Sequence, residues 1–200
     1  MARHLVHGGE SVVLAARDQS EAMSLAAELG PLARAASPDE AMQEAETVVL
    51  AVWLDTIREL IERNAQLLEN KTVIDPSNPL GFDERGQMIR TLPEGQSAGS
   101  VVAGLLPSSS HYVKAFGTLV ADTLASSARR EPSAAVLFYA TDDDTAAATA
   151  ERLIRAAGFQ PVKVGGVADA GRIEVPGGDL HGTLFDFDGA RAAVMGQVPA

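Results

Sequence analysis

Cysteine is absent from the 200-residue chain, which excludes disulfides, thiol catalysis and cysteine metal sites. Aromatic residues are scarce at 4%, with a single tryptophan, so the core must be built mainly of Ala, Val and Leu. That favours helices packed on a parallel sheet over an aromatic-rich β-sandwich. Basic residues are outnumbered, 16 Lys and Arg against 27 Asp and Glu, giving a formal charge of −11. Such a surface repels phosphate backbones, so nucleic acid is not an expected partner, although a local basic site for a small phosphate is compatible with it. No apolar run approaches the ~18 residues of a membrane span, and the first residues lack the apolar stretch of a secretory signal. The expectation is a cytoplasmic chain without membrane contact.

What remains is the balance of a folded globular chain, 46% apolar and 22% charged, enough to bury a core. Short apolar runs alternate with amphipathic segments. Ala2 to Val6 reads as the last turns of a helix stopped at Gly8-Gly9. Strands are expected at Ser11–Ala16, Ala33–Ala36, Thr47–Val52, Thr72–Asp75, Tyr112–Phe116, Ala134–Ala140 and Pro161–Val164. Helices are expected at Ser20–Leu29, after the Ser37-Pro38 start signal, and at Asp55–Leu68, Ser97–Leu106 and Asp143–Ala157. Pro76–Pro79 reads as a turn and Leu80–Gly95 as a loop rich in Gly, Pro and charge. This alternation predicts an α/β fold, a doubly wound parallel sheet of the Rossmann dinucleotide-binding type, made from the strands around Val12, Val48, Val73, Val113 and Val136.

Open parallel sheets bind ligands beyond the carboxyl ends of their strands, so the candidate site is Arg17, Val52-Trp53, Pro76-Ser77-Asn78 and Phe116-Gly117. Arg17 is the most informative. At the end of the second strand of a dinucleotide fold, an acid serves the ribose 2′-hydroxyl of NAD, whereas an arginine accommodates the 2′-phosphate of NADP. Asp18 beside it leaves room for a mixed preference. A G-x-G-x-x-G loop should lie about 20 positions earlier, which falls before Met1. Gly165-Gly166 and Gly177-Gly178 lack the strand-to-helix context and read as turn glycines. The expectation is therefore a truncated sequence, an NAD(P)-binding domain over residues 1–165 without its first strand, followed by an extension over 166–200 acting as a lid or dimer segment. Leu184 to Met195 is the stretch that could pack on a second subunit.

The runs Ser11–Asp18, Val48–Trp53, Val73–Pro79 and Val113–Leu119, by their order and spacing, resemble the NADP oxidoreductases dependent on the deazaflavin coenzyme F-420, over roughly residues 1 to 165. The resemblance implies hydride transfer between NADP(H) and a deazaflavin or flavin-type partner. It would place Arg17 at the 2′-phosphate and Val52 and Trp53 along the pyrophosphate and ribose. Asn78 and Pro79 would lie near the nicotinamide ribose, with Ala115 and Phe116 by the nicotinamide ring. One departure stands out: the family's K-A-F-N-T has Gly117 in place of Asn, removing an amide contact. Direct hydride transfer needs ring placement more than a side-chain acid or base, so no catalytic side chain is assigned. The alternatives are a non-catalytic NADP-binding or sensing module and an inactive fragment of such a reductase.

Other chemistries find little support. The four histidines, His4, His7, His111 and His181, have no metal-ligand spacing, and Asp142–Asp144 read as a helix cap. No serine sits in a G-x-S-x-G elbow, and Tyr139 is followed four residues on by Asp143 rather than the lysine of a short-chain dehydrogenase. Glu174, Asp179 and His181 read as a polar cluster in the Gly-rich tail, either a lid or a solvated loop.

Overall fold

The computed structural model describes residues 1–196; of the extension expected over 166–200, residues 197–200 lie outside the described residues. The chain opens with helix α1 (Ala2–His7), strand β1 (Val12–Leu14), helix α2 (Gln19–Leu29) and strand β2 (Ala33–Ala35). Asp18 caps α2 by accepting from the Ser20 N–H, and Gly30, at φ 83°, ends it where a side chain would be strained. Helix α3 (Pro38–Glu44) starts on a full capping box, Ser37 and Glu40 each bonding the other's backbone N–H, with Pro38 in the first turn.

Strands β3 (Thr47–Val49), β4 (Thr72–Asp75), β7 (His111–Ala115), β8 (Val136–Ala140) and β9 (Gln160–Gly165) form one five-stranded sheet in the order β3-β4-β7-β8-β9. Helices α4 (Leu54–Leu68) and α5 (Ala98–Leu105) cover one face of this sheet, and α7 (Asp144–Ala156) the other. The continuous apolar runs follow from that two-sided burial. Along β4, Val73 joins the α4/α5 core and Ile74 the α7 core; along β7, Tyr112 and Val113 divide in the same way. Leu5 of α1 is buried in the α7 core. The C-terminal part, a 3-10 helix (Val167–Ile173) and helix α8 (Phe187–Val194), packs Ala170, Ile173, Leu180, Ala190 and Ala193 onto β8 and β9.

The α/β class and the mostly parallel sheet agree with the expectation, with three differences. β1 and β2 pair parallel only with each other, so the Val12 strand forms a separate two-stranded sheet rather than part of the large one. β8 runs antiparallel to β7. Its connection holds only helix α6 (Ala121–Ser127), unexpected from the sequence. Third, Leu80–Gly95 is not simply a loop. It contains an antiparallel hairpin, β5 (Leu80–Phe82) and β6 (Met88–Arg90), whose turn is held by Asp83 Oδ1 accepting from the N–H groups of Arg85 and Gln87.

Candidate functional site

Because β3, β4 and β7 are parallel, their carboxyl ends open on one edge of the sheet. Each strand delivers a short turn there. After β3, Val52 and Trp53 are exposed, and Trp53 lies edge-to-face against Phe82 of the hairpin at 5.3 Å between ring centres. After β7, Phe116 adopts φ 67°, a left-handed conformation uncommon for a bulky residue. Its side chain enters the α7 core with Ala115, so both are buried and only their backbone lies at the strand end. Gly117 follows because it must sit against the neighbouring turn. A Cβ on it would lie 2.4 Å from the Pro76 carbonyl oxygen.

The turn after β4 is braced by buried charge. Asp75 is fully buried and Lys114 is 1% exposed; their register pairing across β4 and β7 puts Nζ 3.0 Å from Oδ2. Lys114 also donates to the Ser77 carbonyl, while the Ser77 N–H donates to Asp75 Oδ1 at 2.8 Å. Tyr112, two residues before Lys114 and on the same strand face, donates its hydroxyl to Asp75 Oδ2 at 2.8 Å. Burial, reinforced by the Asp75 charge, pushes the Tyr112 phenol well above its ordinary value, so it remains a donor. The second acid beside Lys114 is Glu174 of the C-terminal segment, 3.3 Å from Nζ. The hydroxyls of Ser77 and Thr118, at the ends of β4 and β7, are buried without a hydrogen-bond partner among the described residues.

The sequence-expected site residues divide between this edge and the sheet formed by β1 and β2. Val52, Trp53, Asn78, Pro79 and Phe116 lie in the turns after β3, β4 and β7, and Ala115 is the last residue of β7. Asn78 is half-buried, and its Oδ1 accepts from the Val175 N–H at 2.8 Å. Pro79 is buried, and its carbonyl accepts from Thr91. Arg17 follows β1, exposed, with no ion pair or side-chain hydrogen bond among the described residues. Its neighbour Asp18 is engaged: its carboxylate accepts from both the Ser20 N–H and Ser20 Oγ, which holds it below the usual range.

The tail cluster expected from Glu174, Asp179 and His181 does not exist as one group. Glu174 is in the core, whereas Asp179 pairs with Arg172 at 2.8 Å on the surface. His181 lies by the end of β7, where the next N–H, of Gly182, donates to the Thr118 carbonyl at 2.8 Å. Asp143 caps α7 as expected and also bonds His111 at 2.7 Å, at the amino end of β7 and away from the strand ends described above. Among the described residues no group of three His, Cys, Asp or Glu is placed to hold a metal, and no helix is long and apolar enough to cross a membrane.

Burial pulls the His181 and His4 imidazoles below their ordinary value. For a base so depressed, the stability contribution is full above the unfolded value of about 6.5 and is lost as pH falls toward the folded value, where only the unfolded chain takes up the proton. The expected result is a melting temperature that falls between about pH 7 and pH 5, and falls less steeply in His181→Gln. Parallel pH profiles of the two proteins would contradict the assignment for His181.

The mostly parallel sheet, with a braced crevice at the ends of β3, β4 and β7, is a Rossmann-type fold. Residues 1–79 match the family described as NADP oxidoreductase, coenzyme F-420-dependent. This is the family that the four motifs resemble, and three of them fall within the matched region. A hypothetical protein from Sinorhizobium meliloti has a similar structure, with 26% identity, TM-score 0.80, and coverage of 92% of this chain and 88% of that one. A protein of Arthrobacter sp. FB24 assigned as an F-420-dependent NADP-reductase follows at 22% identity and TM-score 0.68, covering 84% and 81%. A pyrroline-5-carboxylate reductase from Coxiella burnetii shares the fold at 17% identity and TM-score 0.59, covering 86% of this chain and 58% of that one. No curated protein matches the sequence. The family match over residues 1–79 supports NADP-dependent oxidoreductase activity as the general class, and the solved structures share the fold.

Sequence reasoning missed Asp75, Tyr112 and Lys114 in the most buried part of the site, and it placed Glu174 in a polar tail cluster rather than in the core. A signal existed for Lys114. A lysine inside an apolar strand with both faces covered has no solvent to face and requires a buried partner.

Proposed function

We propose that this chain is an NADP-dependent oxidoreductase that passes a hydride between NADP(H) and a deazaflavin or flavin-type partner. The observation that carries the reading is the pair Arg17 and Asp18. Asp18 commits one of its two carboxylate oxygens, Oδ1, to the cap of α2, where it accepts from the Ser20 N–H and Oγ. Arg17 is left as an exposed, unpaired guanidinium beyond β1 among the described residues, the arrangement that suits a 2′-phosphate.

The remaining residues fit the rest of the dinucleotide. Val52 and Trp53 offer exposed apolar surface for the pyrophosphate and ribose path. Asn78, whose oxygen serves Val175, keeps its amide nitrogen for a ribose hydroxyl. Ala115 and Phe116 meet the nicotinamide through backbone alone, since their side chains are in the core. The nicotinamide, when bound, supplies the hydride-carrying carbon. The protein's part is to orient that ring and to exclude water behind it with the packed core of β4 and β7.

Arg17→Gln tests the reading. Losing charge-assisted bonds to the 2′-phosphate should weaken NADPH binding about tenfold to a hundredfold and leave NADH binding unchanged. Equal losses for both nucleotides, or none, would overturn it. A wild-type chain that binds NADPH yet oxidises it with neither deazaflavin nor flavin would instead be a non-catalytic NADP-binding module.

A further inference from the structure

Glu174 has an unusual position for an acid in a segment of glycines and prolines. It is 2% exposed, and both carboxylate oxygens are used. Oε2 accepts from the Ala98 N–H and Oε1 from the Gly99 N–H, each at 2.8 Å, at the start of α5. Oε1 also faces Lys114 Nζ at 3.3 Å. Gly99 permits this approach, since a Cβ there would fall 2.6 Å from the Ala170 Cβ and 3.4 Å from Glu174 Oε1. From Glu174 two routes lead to the turn after β4. One runs through Lys114 to Asp75 and on to the Ser77 backbone. The other runs through the next residue, whose N–H donates to Asn78 Oδ1 at 2.8 Å.

We infer that Glu174 is a positioning residue for the nicotinamide half of the site, acting through Lys114 and Asn78 on the Ser77-Asn78 turn. The inference rests on the NADP reading above and adds to it a residue from the C-terminal segment that touches no ligand. The chemistry demands a carboxylate. A glutamine at this position would turn its NH2 group toward the Ala98 N–H, or toward Gly99 and Lys114, setting donor against donor. The turn would then lose its support from the tail, while Arg17, beyond β1, would keep its surroundings.

The test is calorimetric titration of wild type and Glu174→Gln with two probes. NADPH spans the whole site. Adenosine 2′,5′-bisphosphate carries the adenosine half and the 2′-phosphate but no nicotinamide. In the variant the bisphosphate should keep its Kd within about twofold, while the Kd for NADPH should rise about tenfold. The ratio of the two affinities is the readout, and a general loss of folding would not move it selectively. Glu174→Asp, which keeps the charge but shortens the reach, should show a smaller change in the same direction, and it carries the test if the glutamine variant does not fold. Unchanged NADPH affinity, or equal losses for both probes, would overturn the positioning role. A wild-type chain that binds neither probe would overturn the NADP reading itself, and this inference with it.

Discussion

Lys114→Met should lower the free energy of unfolding by about 3–5 kcal/mol, the usual cost of removing one partner from a buried ionic cluster. Methionine matches the lysine stem in length and packing, so the loss would report the charge rather than a cavity. Lys114 is 1% exposed and Asp75 and Glu174 are no more than 2%, so water cannot take its place. Asp75 would retain its bonds from Tyr112 and Ser77, and Glu174 those from Ala98 and Gly99. Two carboxylates would nevertheless share a dry site without Lys114, the one cation that pairs with both among the described residues. Urea unfolding of the two proteins gives the difference directly. A loss below about 1 kcal/mol, the scale of an exposed pair, would mean that the cluster is open to solvent.

Gly117→Asn is the second substitution with a large expected effect. It restores the residue that the resembling family carries at this place, and on that ground alone it should add a contact to the nicotinamide. The geometry opposes this. The new Cβ would meet the Pro76 carbonyl oxygen at 2.4 Å and its carbon at 3.0 Å, both backbone atoms with no rotamer to escape into. Either the turn after β4 or the one after β7 must shift, at a cost of about 1–3 kcal/mol. The shift falls on Ser77 and Asn78, so NADPH affinity should fall along with stability. A variant of wild-type stability that binds NADPH more tightly would show that Gly117 is only a missing amide.

Much of the local structure was legible because it rests on signals between near neighbours. The Ser37-Pro38 start of α3, the Asp143 cap of α7 and the glycine ending α2 each act within a few residues. The buried strands were visible as apolar runs because both faces of the sheet are covered. Strand direction has no such signature: β8 has the same apolar pattern whether it runs with β7 or against it. The β5–β6 hairpin was hidden by short strands, three residues each, in a stretch whose composition suits a loop. The site was half legible for the same reason. Positions just past strands can be found by counting, and the structure puts Arg17, Trp53 and Asn78 just past β1, β3 and β4. The brace beneath them joins Lys114 to Asp75, 39 residues away, and Glu174 to the α5 backbone, 76 residues away, and no local pattern encodes those pairings.

The central claim is that the strand ends and Arg17 form a site for NADP. Calorimetric titration of the chain with NADPH and with NADH tests it most directly. The expected result is saturable binding of NADPH with a clear preference over NADH. Binding of neither nucleotide, or equal affinity for both, would contradict it.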